Sequence, residues 1–319
     1  MFDTAAVTAK VIVLFFVMVC GFYARKRSFL NAESTTALSA LLVNITNPLL
    51  CIYAFQKEYT PELLKTGLTV LGMSVIIHLI LTGLSYILYA PMKNVAKRKT
   101  LQFGTIYANC GFLGYPVLMA LFGSMGDPNG LFYGAFFTLF FNAYCWTFGV
   151  FLMNDGKSLA PKELVKKVFL NPGIIGTILG FILFLSPITF MEGSIAYDSF
   201  KMVGDMTFPL SMFITGSLLS QIDFKSLFKD ISLWYYSFIK LIALPVITVF
   251  VCKLINLPML YTYLAVTMTA MPGASNTAIF ADIYDKDKDS AAKCVGLSTF
   301  LSIFTVPGIM FLISVVFKA

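Results

Sequence analysis

Few side chains in this 319-residue sequence are placed to do chemistry away from water. Three of them stand alone inside otherwise uncharged stretches: His78 within residues 66–92, Asp205 within 202–222 and Lys240 within 231–252. A lysine in such a setting can neutralise an anion, or lose and regain a proton. Histidine titrates near neutrality and could carry a proton too. Aspartate could accept a cation or a proton. Structural uses compete with each of these: a helix–helix hydrogen bond for His78, a place near an interface for Asp205, a buried carbonyl or acid partner for Lys240.

A second group of candidates lies where the sequence is least suited to a helix. Asn109-Cys110-Gly111-Phe112-Leu113-Gly114-Tyr115-Pro116 holds two glycines and a proline, and Ala270-Met271-Pro272-Gly273-Ala274-Ser275-Asn276-Thr277 holds a Pro-Gly pair followed by Ser and Asn. Glycine costs about 1 kcal/mol and proline about 3 kcal/mol in a helix interior. Both stretches therefore read as unwound breaks. Asn109 and Asn276 each offer two donors and an acceptor without fixed charge, enough to grip a carboxylate and still release it. Pro116 suits the first turn of the helix that resumes, where its missing N–H costs nothing. Ser275 or Asn276 is expected to cap the other resumed helix. The competing reading is that both amides only satisfy freed backbone.

Other chemistries find no residues. The single histidine excludes a histidine-rich metal centre. Cys20, Cys51, Cys110, Cys145, Cys252 and Cys294 are far apart, form no CxxC pair, and read as small hydrophobes. No pair of carboxylates shares an apolar stretch. Neither a metal, a cofactor nor an enzymatic activity is expected.

The elements that must position these groups are membrane helices. The chain is 58% hydrophobic and only 12% charged, with a mean hydropathy of +0.82. A soluble protein carries about 25% charged residues, so a soluble enzyme or nucleic-acid binder is excluded despite the net charge of +7. Ten apolar segments can each supply the roughly 20 residues that cross a bilayer. The Met1-Phe2-Asp3 opening lacks the basic start of a cleavable signal. The connections after the odd-numbered segments carry most of the basic residues, among them Arg25, Lys26, Arg27, Lys99, Lys167, Lys225 and Lys286. The other side has six: Lys10, Lys57, Lys65, Lys201, Lys253 and Lys318. The positive-inside rule then places the odd connections in the cytoplasm and both termini outside, which also accounts for the basic balance.

The longest connection, residues 155–171, separates two sets of five segments. Five is odd, so the second set must enter the membrane inverted, the usual construction of secondary transporters. Asn44-Ile45-Thr46-Asn47-Pro48 matches Asp205-Met206-Thr207-Phe208-Pro209 at an offset of 161 residues, and His78 pairs with Lys240 at 162. The two breaks, in segments four and nine, align at the same offset of 161. Discontinuous helices at matching places in two halves mark a binding site near the bilayer midplane. A half-helix N-terminus there favours an anion.

These residues resemble a known family. Asn44-x-x-Asn47-Pro48, Asn109-x-Gly111-Phe112-x-Gly114-Tyr115-Pro116, Asp205-x-x-x-Pro209 with Gly216-Ser217-Leu218, and Met271-Pro272-x-Ala274-x-Asn276 with Ala281 and Tyr284 look like the auxin efflux carrier family. That family includes plant PIN exporters and compact bacterial permeases described as malate or malonate transporters. The resemblance covers the whole chain. It implies an all-α integral membrane fold similar to sodium/proton antiporters and bile-acid transporters, with ten helices in two inverted repeats and broken helices 4 and 9 crossing. It further implies a scaffold of helices 1, 2, 6 and 7, often dimeric, and a moving domain of helices 3–5 and 8–10 giving elevator-like access. In plant members the asparagine matching Asn109 binds the substrate carboxylate. The ninth segment departs from the plant members at several positions, which argues against auxin itself as substrate.

The expectation is thus a plasma or inner membrane carrier for a small organic anion, a mono- or dicarboxylate, with proton or sodium coupling and a homodimeric scaffold. The repeats comprise residues 1–154 and 172–319. Asn109, Gly111, Tyr115, Pro116, Pro272, Ser275, Asn276, Asn44 and Asn47 are the candidate substrate-binding residues. His78, Asp205 and Lys240 are candidates for coupling or charge compensation. The alternatives are a transporter-like sensor and a uniporter or channel without ion coupling.

Overall fold

The computed structural model describes residues 4–157, 159–188, 190, 192–222, 227 and 229–317. The Met1-Phe2-Asp3 opening, Met191 at the end of the sixth segment, Lys225 and Lys318 lie outside them.

The described residues form helices α1 (Thr4–Lys26), α2 (Ala32–Ala54), α3 (Pro61–Leu88), α4 (Val95–Ile106), α5 (Cys110–Ser124), α6 (Gly130–Met153), α7 (Pro161–Phe169), α8 (Pro172–Leu185), α9 (Ile195–Leu219), α10 (Ile231–Leu254), α11 (Met259–Ala270), α12 (Asn276–Ile283) and α13 (Lys288–Phe317). Seven are long and apolar enough to cross a membrane on their own: α1, α2, α3, α6, α9, α10 and α13. No strand forms among the described residues beyond one isolated bridge, Ala108 to Gly273. Large apolar side chains such as Phe16, Ile87, Phe304 and Phe311 face outward. In water such a surface would be an aggregation hazard. It is the expected surface of a protein solvated by lipid.

Local chemistry sets the helix boundaries. Asn31, Thr60, Asn94, Asn171 and Ser194 each accept a backbone N–H three residues on, and Pro61 and Pro172 follow two of these caps directly. Three wide π-turns, Leu42–Thr46, Cys110–Gly114 and Ile239–Ala243, each end two residues before a proline: Pro48, Pro116 and Pro245. Proline cannot donate to the carbonyl four residues back and its ring collides with it. Widening the preceding turn relieves that collision, as where the Gly114 N–H reaches the Asn109 carbonyl, five residues back, at 3.0 Å. A fourth π-turn, Cys145–Gly149, has no such proline.

The 155–171 connection contains α7, whose axis is bent 66° from that of α8. Lys162, Lys166 and Lys167 share this short helix with the exposed apolar side chains of Val165 and Phe169.

Helices pack pairwise in a reciprocal pattern. The first, α1, lies along α9, while α8 lies along α2; α3 packs on α6, and α10 on α13. The α1–α9 contact is backbone on backbone. A Cβ on Gly216 would stand 1.8 Å from the Met18 carbonyl oxygen, and one on Gly21 2.0 Å from that of Phe213. Only hydrogen fits at either place. At the crossing of α2, α6 and α8 the core is aromatic: Phe55 meets Phe132, Phe136 and Phe181 edge-on with centroids 5.2–5.9 Å apart, the geometry ring quadrupoles prefer.

Candidate functional site

Two chain breaks meet at the centre of the molecule. The helix α4 ends at Ile106, and Tyr107 turns extended with φ −102° and ψ 98°. Likewise α11 ends at Ala270 and Met271 is extended, with φ −67° and ψ 144°. The two unwound segments run antiparallel through the Ala108–Gly273 bridge. The Asn109 N–H donates to the Pro272 carbonyl at 2.7 Å, and the Ala274 N–H to the Tyr107 carbonyl at 3.0 Å. Each break thus satisfies backbone groups that the other exposes, which is how non-helical chain persists where lipid offers no partner.

Three further side chains hold this junction. The Gly273 N–H donates to Ser298 Oγ of α13 at 3.2 Å. A Cβ on Gly273 would lie 2.3 Å from the Tyr236 hydroxyl oxygen, so the close approach of α10 requires glycine. The last carbonyls of α4 lack intrahelical donors. Tyr236 supplies one, donating to the Gly104 carbonyl at 3.2 Å, and Lys240 Nζ supplies another to Thr105 at 3.0 Å. Lys240 is fully buried. Its amine stands at the end of α4 that carries about half a negative elementary charge, which is an electrostatic reason for a lysine here.

Asn109 opens α5 at this junction. It is only 4% exposed, and its backbone is engaged on both sides. Its side-chain amide has no hydrogen-bond partner among the described residues. Beside it Gly111 borders open space: a Cβ there would meet nothing within 4 Å. The α5 N-terminus therefore presents the positive end of a helix dipole, an uncommitted amide, and room. That combination can hold an anion.

The other expected residues fall into distinct places. Pro272 contributes its carbonyl to the bridge. Tyr115 is turned away, its hydroxyl bonded to Thr138 of α6, and Pro116 is buried in the first turn after the π-turn. The expected cap on α12 does not form. Ser275 stands at the capping position with helical φ −58° and ψ −24° and makes no side-chain cap bond, because capping requires an extended backbone there. Asn276 instead directs Nδ2 to Cys145 Sγ of α6 at 3.8 Å.

His78 is buried on α3, its Nδ1 bonded to the Ser74 carbonyl of its own helix at 2.7 Å. Around it stand the rings of Phe137, Phe140, Phe141, Tyr144 and the unwound Tyr107. Asp205 forms an ion pair with Lys201, one turn away, at 2.6 Å and keeps about a third of its side chain exposed. Asn44 is exposed and bonds back to the Ala40 carbonyl. Asn47 sits against Gly173 of α8. Of the sequence candidates, the structure brings together Asn109, Gly111 and Pro272, with Lys240 one carbonyl away. It leaves Asn44, Asn47 and Asp205 apart from these, on the α2, α8 and α9 side.

Ser298, Tyr236, Thr105 and Cys145 were not among the expected residues. Each acts through contacts distant in sequence and sits in no motif, so no spacing announces it. Among the described residues no group of histidine, cysteine or acidic side chains could hold a metal ion.

Comparison with known proteins agrees with this architecture. Residues 6–310 match the family model described as membrane transport protein. An uncharacterized transporter of Methanothermobacter thermautotrophicus is 26% identical over 94% of this chain and 96% of its own length. A second, from Methanocaldococcus jannaschii, is 24% identical over 93% of this chain and 95% of its own. A multi-pass helical chain matched from end to end in this way belongs to the membrane transport protein family of the auxin efflux carriers, and it is a transporter, not an enzyme.

Proposed function

We propose that this protein is a secondary active carrier of a small organic anion, a mono- or dicarboxylate such as malate or malonate. The observation that carries the proposal is the amide of Asn109, without a partner among the described residues, at the α5 N-terminus on a residue only 4% exposed. Such an amide is free to donate to a bound carboxylate without giving up a bond in the protein. Gly111 gives the anion room, and Lys240 would offset its charge from behind the Thr105 carbonyl.

In this reading the chain makes ten crossings in two inverted repeats, residues 1–154 and 172–319 joined by 155–171. Here α4 with α5, and α11 with α12, are the broken fourth and ninth crossings. The reciprocal pairing of α1 with α9 and α8 with α2 supports the inversion. Those four helices would be a scaffold, dimeric in the membrane, against which the rest slides in an elevator motion. Both termini lie outside the cytoplasm of a plasma or inner membrane. His78, Asp205 and Lys240 are the candidates for proton or sodium coupling.

The test is uptake of radiolabelled malate and malonate into proteoliposomes, with and without pH and sodium gradients. Asn109→Ala should lower uptake at least tenfold without lowering the thermal unfolding midpoint, because the amide removed has no partner to lose. Unchanged uptake would sink the assignment.

A further inference from the structure

A cavity of about 380 Å³ opens at the end of the bundle where α3, α4 and α6 finish or begin, away from the junction of the breaks. Arg98, Lys99 and Gln102 of α4 line it, with Tyr86 of α3 and Asp155 just past α6. Arg98 is half-buried and has no hydrogen-bond or ion-pair partner among the described residues. Gln102 is 2% exposed, and its amide makes only a long 3.4 Å bond to the Ser85 carbonyl.

The arrangement of Asp155 shows what such a place accepts. Its backbone has φ +56°, the left-handed region that a residue with a Cβ rarely enters. That turn sets its carboxylate between Lys99 and Lys286, at 2.8 Å from each. One carboxylate thus already bridges two lysines at the rim, while the neighbouring guanidinium has none. Counting Arg98, Lys99 and Lys286 against Asp155, the surroundings keep two positive charges in excess. A guanidinium fork takes a carboxylate through two parallel hydrogen bonds. The volume is at the lower end of small-ligand sites.

We propose that this cavity is a second anion site, taking a small soluble carboxylate on Arg98, separate from the site at Asn109. Its ligand class rests on the carboxylate reading above; its location does not. A carboxylate here would lie at the mouth of α4, the helix whose other end is the junction. Gln102 would donate to it, and Lys99 could exchange between it and Asp155.

The proposal is tested by equilibrium binding of radiolabelled malonate to purified protein. Wild type is compared with Asn109→Ala, Arg98→Gln, Arg98→Lys and the Asn109→Ala/Arg98→Gln pair, with the unfolding midpoint of each recorded. Malonate should still bind Asn109→Ala, and adding Arg98→Gln should weaken that remaining binding at least tenfold. Arg98→Lys, which keeps the charge but loses the fork, should be intermediate and covers the case in which Arg98→Gln misfolds. Absence of malonate binding to Asn109→Ala, or binding indifferent to Arg98, overturns the second site and leaves the Asn109 reading standing. Loss of all binding with Arg98→Gln and none with Asn109→Ala supports the cavity and defeats the junction. Phosphate headgroups share the same chemistry, so the measurement is repeated in nanodiscs with and without phosphatidylglycerol. Malonate binding at Arg98 found only without that lipid would make this a lipid site and overturn the proposal.

Discussion

Thr46 and Thr207 are joined hydroxyl to hydroxyl at 2.9 Å, 161 residues apart in the chain. That separation is also the offset at which the two halves of the sequence match. Both threonines are buried, each just before a proline, and each at a helical irregularity: the π-turn of α2 and the interruption at Met206 in α9.

The pair can be measured. Thr46→Val leaves the Thr207 hydroxyl unpaired in the interior and should cost about 1–3 kcal/mol. Thr207→Val should cost less, because Thr46 keeps its bond to the Leu42 carbonyl. The double valine variant should be less destabilised than the sum of the two, a coupling that thermal unfolding in detergent would read in a double-mutant cycle. Strict additivity would show that the hydroxyls do not interact.

Lys240→Met should abolish transport and leave the fold nearly as stable as before. The lost bond to Thr105 is worth about 1–3 kcal/mol, while desolvating a buried ammonium costs several kcal/mol that methionine avoids. Uptake and unfolding midpoint, measured on one preparation, decide this. Full transport by the methionine variant would remove Lys240 from the site.

Gly216→Ala should be far more damaging than its size suggests. The new methyl would stand 1.8 Å from the Met18 carbonyl oxygen, so α1 and α9 must separate along their crossing. Overpacking against backbone costs on the order of 3 kcal/mol or more. A lowered unfolding midpoint is expected, whereas Gly72→Ala, where a Cβ meets nothing within 4 Å, serves as the neutral control.

Hydrogen bonds from Lys286 and Lys99 hold the Asp155 carboxyl down at about 2. An unperturbed aspartate titrates near 3.9. Because the folded value is the lower one, the stabilisation is complete above about pH 4 and is lost as pH falls through about 2. Asp155→Asn should flatten the unfolding midpoint between pH 4 and 2. Salt should mimic part of the substitution, since 59% of the Asp155 side chain is exposed and the pairs are screened. Equal acid sensitivity in both proteins would refute the assignment.

The sequence carried much of this protein by itself. Apolar runs and the scarcity of charge named a multi-pass membrane chain, and the Gly/Pro clusters located both breaks to within a few residues. Those are local signals: a residue's cost in a helix, or in hydrocarbon, is set by its own chemistry. One segment was less legible: the sixth stops at Leu185, before Ser186-Pro187.

Only the tertiary structure decided how the groups are used. Lys240 and Asp205 look alike as lone charges in apolar stretches. Yet Lys240 reaches the free Thr105 carbonyl of α4, while Asp205 is neutralised by Lys201 one turn away. Ser275 has the chemistry of a cap but the wrong backbone angle. The two breaks look alike too, and nothing in either says that its amides will be satisfied by the other. A hydrogen bond depends on distance and angle between groups that the chain brings together from far apart, and periodicity along the chain carries no record of it.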